Sequence, residues 1–288
     1  LRLKVLVQRF GKYRLCEITP EQIETFKRDR ANEITSRGTR RSRATVNRDV
    51  AVLSAIFNLA IEYGEINKNP VSNVKYYTNL PSRERVLSDS EEARLFEYIR
   101  DDLKLSQQLE ILLYTGIRRG ELFKLVWGDI DLEEGFIYIP KEITKTGRAR
   151  IIPMLSNVRV IFEFLFQQAG PVKHGDSIFP GVKTQPSAFS RRFRDVCKTL
   201  GWTGMNIHSL RHTFSTRADK YKVGAFHQKA MLGHSKLAMT DRYTHVSKET
   251  LKESLAGFEQ SLLHKKDTKE NGSPQLLDFN PKRFTRVL

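Results

Sequence analysis

Residues 135–153 read GFIYIPKEITKTGRARIIP, and this stretch decides the fold class. Phe136, Ile137, Tyr138 and Ile139 form one run of β-branched and aromatic residues and Ile151 with Ile152 another, with Lys145-Thr146-Gly147 as the turn region between them. A single hairpin in a chain whose other apolar positions recur at helical spacing predicts a mainly α protein with a small β-sheet, an α+β arrangement. After the hairpin, helical patterns resume near 156–168, 186–200, 207–220, 225–232 and 247–263. Before it, Ser88 and Glu91 form a capping box that opens a helix directly after an aperiodic stretch, Tyr77 to Arg85, containing Asn79, Pro81 and Ser82. The expected organisation is a helical domain over 1–80, a linker at 81–87, a larger domain over 88–263 and a tail over 264–288.

In the first domain Thr19-Pro20-Glu21-Gln22 reads as a helix start, with Thr19 capping and Gln22 completing a capping box. Ile23 and Phe26 point inward. A stronger helix is expected from Thr45, carried by Val46, Val50, Leu53, Phe57, Ala60 and Ile61 until Gly64 stops it. The chain opens at Leu1 inside an apolar run, as expected of a piece that lacks an N-terminal segment. Its tail is polar through Pro274 and apolar from Leu276 to Leu288, which suits docking on a neighbouring copy or on its own core.

The 288 residues carry 49 Lys plus Arg against 33 Asp plus Glu, a net charge of +16 spread along the chain. That excess points to a polyanion, most simply nucleic acid, and the 39% hydrophobic content excludes wholesale disorder. Cys16 and Cys197 lie far apart, which suits a reducing compartment. No run reads as apolar and long enough to span a bilayer, so the expectation is a cytoplasmic protein without a membrane partner.

Five short segments concentrate cationic and nucleophilic side chains. In Thr115-Gly116-Ile117-Arg118-Arg119-Gly120-Glu121-Leu122 a glycine break delivers an arginine to a helix start, a ready anion site. Read alone, Arg118 is equally a salt-bridge partner for Glu121, three residues on. Lys145 at the hairpin turn, read alone, is a solvated lysine. In His208-Ser209-Leu210-Arg211-His212 the first histidine and the arginine share a helix face and can reach one phosphate together. Leu232-Gly233-His234 puts a histidine after a glycine helix stop, and Arg242-Tyr243-Thr244-His245 follows. The histidine pair at 208 and 212 lacks the glutamate of a HExxH zinc site, so no metal is expected.

The blocks TGIRRGEL, KTGRARIIP, HSLRHTF, LGH and RYTHV, in this order and spacing, resemble the tyrosine recombinase family of phage-type integrases. The resemblance covers 86–263, while 1–80 looks like the family's helical core-binding domain. It implies a phosphate-activating pocket of Arg118, Lys145, His208, Arg211 and His234, a nucleophile at Tyr243, and Glu121 in support. It further implies a double-stranded DNA core site, a homotetramer on synapsed DNA, and accessory DNA-bending proteins as compatible partners. No arm-binding domain is evident, and mobile-element integration and chromosome-dimer resolution stay open.

The chemistry stands beside the resemblance. A phosphodiester repels nucleophiles, so a metal-free site needs fixed cations around its non-bridging oxygens. Arg118 and Arg211 suit this as bidentate forks, with His208 and His234 as further donors and as candidates for the base that deprotonates a tyrosine. Lys145 suits the acid that protonates the leaving 5′-oxygen. The product is a 3′-phosphotyrosine, and no cofactor is required. A type IB topoisomerase and a non-catalytic DNA-binding protein are the alternatives. Arg40, Arg41, Arg43, Asn47 and Arg48 surround the start of the helix at Thr45, as a solvated basic face or as contacts to DNA, with Asn47 or Arg48 reaching base edges.

Overall fold

Burial of two separate sets of apolar side chains divides the chain into two units, Leu1–Ser82 and Arg83–Leu288. The computed structural model describes residues 2–36, 38–78, 80, 85–181, 186–233 and 247–267, with side chains as far as residue 263.

The first unit packs α1 (Arg2–Phe10), α2 (Pro20–Asn32) and α3 (Arg43–Glu62). The spacing of Val46, Val50, Leu53, Phe57 and Ala60 gives α3 one apolar stripe, which meets Ile23 and Phe26 of α2 and Leu6 and Phe10 of α1. Phe10 and Phe26 pack edge to face at 5.3 Å. The Thr19 capping box opens α2 as its sequence predicts. The third helix starts two residues before Thr45, because Ser42 caps it by accepting from the Thr45 amide. Ile61 lies on the exposed side. By length and composition α3 would suffice to cross a membrane, contrary to the sequence reading, yet its stripe forms the core of the unit and it carries Asp49 fully buried against Arg30 at 3.0 Å.

The second unit is organised around α5 (Leu103–Thr115), which packs on α7 (Ser156–Ala169) and α9 (Ile207–Lys220). From Leu105 nearly every residue of α5 is buried, including Ser106, Gln107, Gln108 and Thr115. A helix enclosed on all sides has no polar face, so periodicity gives it no signature. The helix α4 (Asp89–Tyr98), opened by the Ser88–Glu91 capping box, is tied to α9. Arg217 binds Glu92 and Asp89, Tyr114 of α5 donates to Glu92, and the Leu87 amide donates to Thr213. Burial, followed by the Glu92 charge, holds the Tyr114 hydroxyl well above the ordinary tyrosine range.

The predicted hairpin is the centre of a three-stranded antiparallel sheet of β1 (Ile130–Asp131), β2 (Phe136–Ile139) and β3 (Arg150–Pro153). Ile137 pairs with Ile152 and Ile139 with Arg150. Among the described residues the remaining α-helices are α6 (Arg119–Leu122), α8 (Pro186–Thr199), α10 (Ala225–Leu232) and α11 (Lys248–Asp267). Cys16 is exposed, whereas Cys197 is buried on α8 and burial pushes its thiol up to about 11.

Gly116 closes α5 in the left-handed region at φ 63°, its amide bonded to the Leu112 carbonyl. A Cβ there would lie 2.6 Å from Phe214 Cδ1 and 2.7 Å from Leu232 Cδ2. Gly116→Ala should therefore cost about 2–4 kcal/mol, combining left-handed strain with overpacking. Chemical denaturation of the full chain measures this as a lower midpoint.

Candidate active site

The turn at Gly116 delivers Arg118 to the N-cap of α6, where its amide donates to Glu121 Oε2 at 2.8 Å and its Nη1 to Oε1 at 3.0 Å. The salt bridge to Glu121 forms, and the same guanidinium also lines an open cleft of about 480 Å³. Asn206 caps α9 by accepting from the His208 amide at 2.8 Å, which sets His208 in the first turn and Arg211 three residues later on the same cleft. His208 and His212 pack edge to face at 4.7 Å.

Arg211 is 5% exposed and donates to the carbonyls of Gly116, at 2.7 Å, and Leu232. It thus joins the C-terminal ends of α5 and α10, where a cation is favoured by the helix dipole. Burial, reinforced by the positive charges of Arg118 and Arg150, lowers its pKa to about 9, so it remains charged at neutral pH.

Arg150 was not singled out by sequence reasoning. Its Nη2 meets Glu121 Oε2 at 2.6 Å and its Nε donates to the Met231 carbonyl at 2.6 Å. A signal existed in the strand alternation, because residue 150 shares the inward face with Ile152, and a charge there needs a buried partner. Burial alone would raise the Glu121 carboxyl, but hydrogen bonds and charge from Arg150, joined by Arg118, outweigh it and hold the group below its ordinary 4.5.

Lys145 is exposed on the 140–149 connection and is not among the residues lining the cleft. His234 and Tyr243 lie outside the described residues, as does the tail beyond 267. Gly233, in the left-handed region at φ 65°, closes α10 against the Arg150 side chain. Sequence reasoning also passed over Arg119, Ser190 and Arg194, which line the same cleft.

The basic cluster of the first unit is divided by its contacts. Arg41 pairs with Glu33 at 3.2 Å, and the Arg43 guanidinium lies 5.2 Å from the Tyr77 ring centroid. Asn47 donates to the Tyr77 carbonyl and accepts from its amide, both at 2.9 Å. That carboxamide ties the start of α3 to the chain at Tyr77. Arg40 and Arg48 are exposed.

The profile of the phage integrase family matches residues 85–250, and that of the phage integrase N-terminal domain matches residues 1–77. The chain is 33% identical over 236 residues to the shufflon-specific DNA recombinase of Escherichia coli, covering 80% of this chain and 58% of that protein. It is 29% identical over 224 residues to tyrosine recombinase XerC of Staphylococcus haemolyticus, covering 73% of each. Its fold is similar to that of the Tn1549 transposon integrase bound to transposon right-end DNA, with a TM-score of 0.66, 23% identity, and coverage of 88% of this chain and 90% of that one. It is likewise similar to a lambda integrase tetramer bound to a Holliday junction, with a TM-score of 0.63, 20% identity, and coverage of 85% and 72%.

Replacing Glu121 by Gln leaves Arg118 and Arg150 facing a neutral group, and the expected cost is about 3–5 kcal/mol. The native carboxyl is depressed, so its contribution is present above the unfolded-state value near 4.5 and is lost as pH falls through the lower native value. The gap in unfolding free energy between wild type and Glu121→Gln should therefore be full at pH 7 and shrink below about pH 4.5, a trend that denaturant melts at stepped pH measure.

Proposed function

Because this chain belongs to the phage integrase family, we propose that it is a site-specific DNA recombinase, cutting and rejoining strands through a covalent 3′-phosphotyrosine at Tyr243. The observation that carries this reading is the convergence of Arg118, His208 and Arg211 on one open cleft. The Tyr243 oxygen attacks the scissile phosphorus, and the bond to the 5′-oxygen breaks. Arg118 and Arg211 neutralise the charge that gathers on the non-bridging oxygens. His208 takes the tyrosine proton, with His234 the second candidate, and Lys145 protonates the leaving 5′-oxygen. Attack by a different 5′-hydroxyl reverses the step and reseals the backbone, which needs neither ATP nor a metal. Both relatives named above are recombinases, which favours strand exchange over the relaxation of a topoisomerase.

The first unit, in this reading, binds the core site, with Arg40 and Arg48 on the phosphates. Each active site cuts one strand and exchange needs four cuts, so the assembly is a homotetramer on synapsed DNA. The tail from 264 to 288 serves that assembly. The reaction takes place in the cytoplasm, where both thiols stay reduced.

Tyr243→Phe should abolish the covalent adduct on a nicked half-site while leaving DNA affinity nearly intact, since phosphate contacts dominate binding. An adduct that persists in denaturing gels moves the nucleophile elsewhere.

Lys145→Ala should be slower by about 10²–10⁴-fold on normal DNA. It should be largely restored when sulfur replaces the bridging 5′-oxygen, because a thiolate leaves without a proton. Arg118→Ala and Arg211→Ala should stay defective on both substrates. Single-turnover cleavage rates on the two substrates separate the roles, and an equally deep Lys145→Ala defect with sulfur assigns that lysine to phosphate binding.

A further inference from the structure

The cleft holds more positive charge than one phosphodiester can match. Arg118, Arg119, Arg194 and Arg211 all line it, and among the described residues no carboxylate does. A phosphodiester carries one negative charge, moving toward two as the nucleophile adds, and Arg118 with Arg211 answers that. Arg119 and Arg194 are left over, and they share a different wall. Arg119, at the start of α6, donates through Nη1 to Ser190 Oγ on α8. Ser190 and Arg194 are one helical turn apart on α8, beside the face that Phe189, Phe193 and Cys197 fix in the core. Neighbouring Arg192 is neutralised by Asp102, whereas Arg194 has no carboxylate partner among the described residues. The cleft volume of about 480 Å³ lies in the range that takes a ligand well beyond a single phosphate group.

We infer that Arg119, Ser190 and Arg194 form a second phosphate subsite, gripping a phosphodiester of the cleaved strand adjacent to the one held by Arg118, His208 and Arg211. This rests on the proposed function and deepens it. Ser190 accepts from Arg119, which leaves its own proton for a phosphate oxygen, and Arg119 keeps donors beyond the one spent on Ser190. Successive phosphates along a strand advance about 3.4 Å along the duplex axis, so one cleft can hold neighbours. Two adjacent phosphates held on two walls fix the direction in which the strand runs through the site and centre the scissile phosphorus.

The test titrates wild type, Arg119→Gln and Arg194→Gln with a half-site duplex over a range of salt, then repeats the titrations with a neutral methylphosphonate at each linkage flanking the cut. Each variant should lower the slope of log affinity against log salt by about 0.9. One flanking methylphosphonate should weaken wild type and produce no further loss in Arg194→Gln. Unchanged salt slopes in both variants, or methylphosphonate losses that add to the variant losses at every linkage, would overturn the subsite. Arg194 is exposed on α8, so its variant keeps the test open if Arg119→Gln unfolds. Adduct formation by wild type on the unmodified duplex reports separately on the proposed function. An adduct without coupling to Arg194 defeats only the subsite, and no adduct defeats the function.

Discussion

Positive charges brought together in a buried place repel one another, and a single carboxylate makes their assembly tolerable here. Glu121 is 2% exposed and shared by Arg118 and Arg150, so two guanidinium groups from different elements are held by one acid. Without it, Arg118, Arg150 and Arg211 would face each other across low-dielectric protein, where unit charges interact several-fold more strongly than in water. Burial first, and then the charges of these two neighbours, lower the pKa of Arg211 to about 9. The start of α6, the edge of β3 and the C-terminus of α10 all meet at this carboxylate or at its arginines.

Main-chain geometry does the rest. Arg211 draws its bonds from the carbonyls of Gly116 and Leu232, positions where helices end and oxygens lack intrahelical donors. One side chain thus satisfies the ends of two helices and still borders the cleft. Asn206 fixes the first turn of α9 from the other side, so the walls that carry Arg118, His208 and Arg211 are helix ends set by capping rather than by long loops.

Local signals made much of this legible in the sequence. The Thr19 and Ser88 capping boxes, the β2–β3 hairpin and the offset of His208 and Arg211 depend on neighbours within a turn or a strand pair, and they read correctly. What failed to read depends on distant partners. α5 lacks amphipathic contrast because the protein encloses it. Arg150 has meaning only through Glu121, twenty-nine positions away in the chain. The Arg119 wall needs Ser190, and the bonds of Asn47 go to Tyr77, thirty positions on. The start of α3 at Arg43, two residues before Thr45, is by contrast a local matter of which hydroxyl residue caps the helix, here Ser42.

The contrast between the two cysteines has a practical side. A thiol reacts as its thiolate and only where a reagent can reach it. Cys197 is enclosed on α8 with its ionisation suppressed, while Cys16 stands open to solvent near the start of α2. A maleimide dye offered to the native fold therefore meets one target, and the label lands on the first unit. Within these 288 residues a single-site fluorescent handle is thus present without cysteine removal.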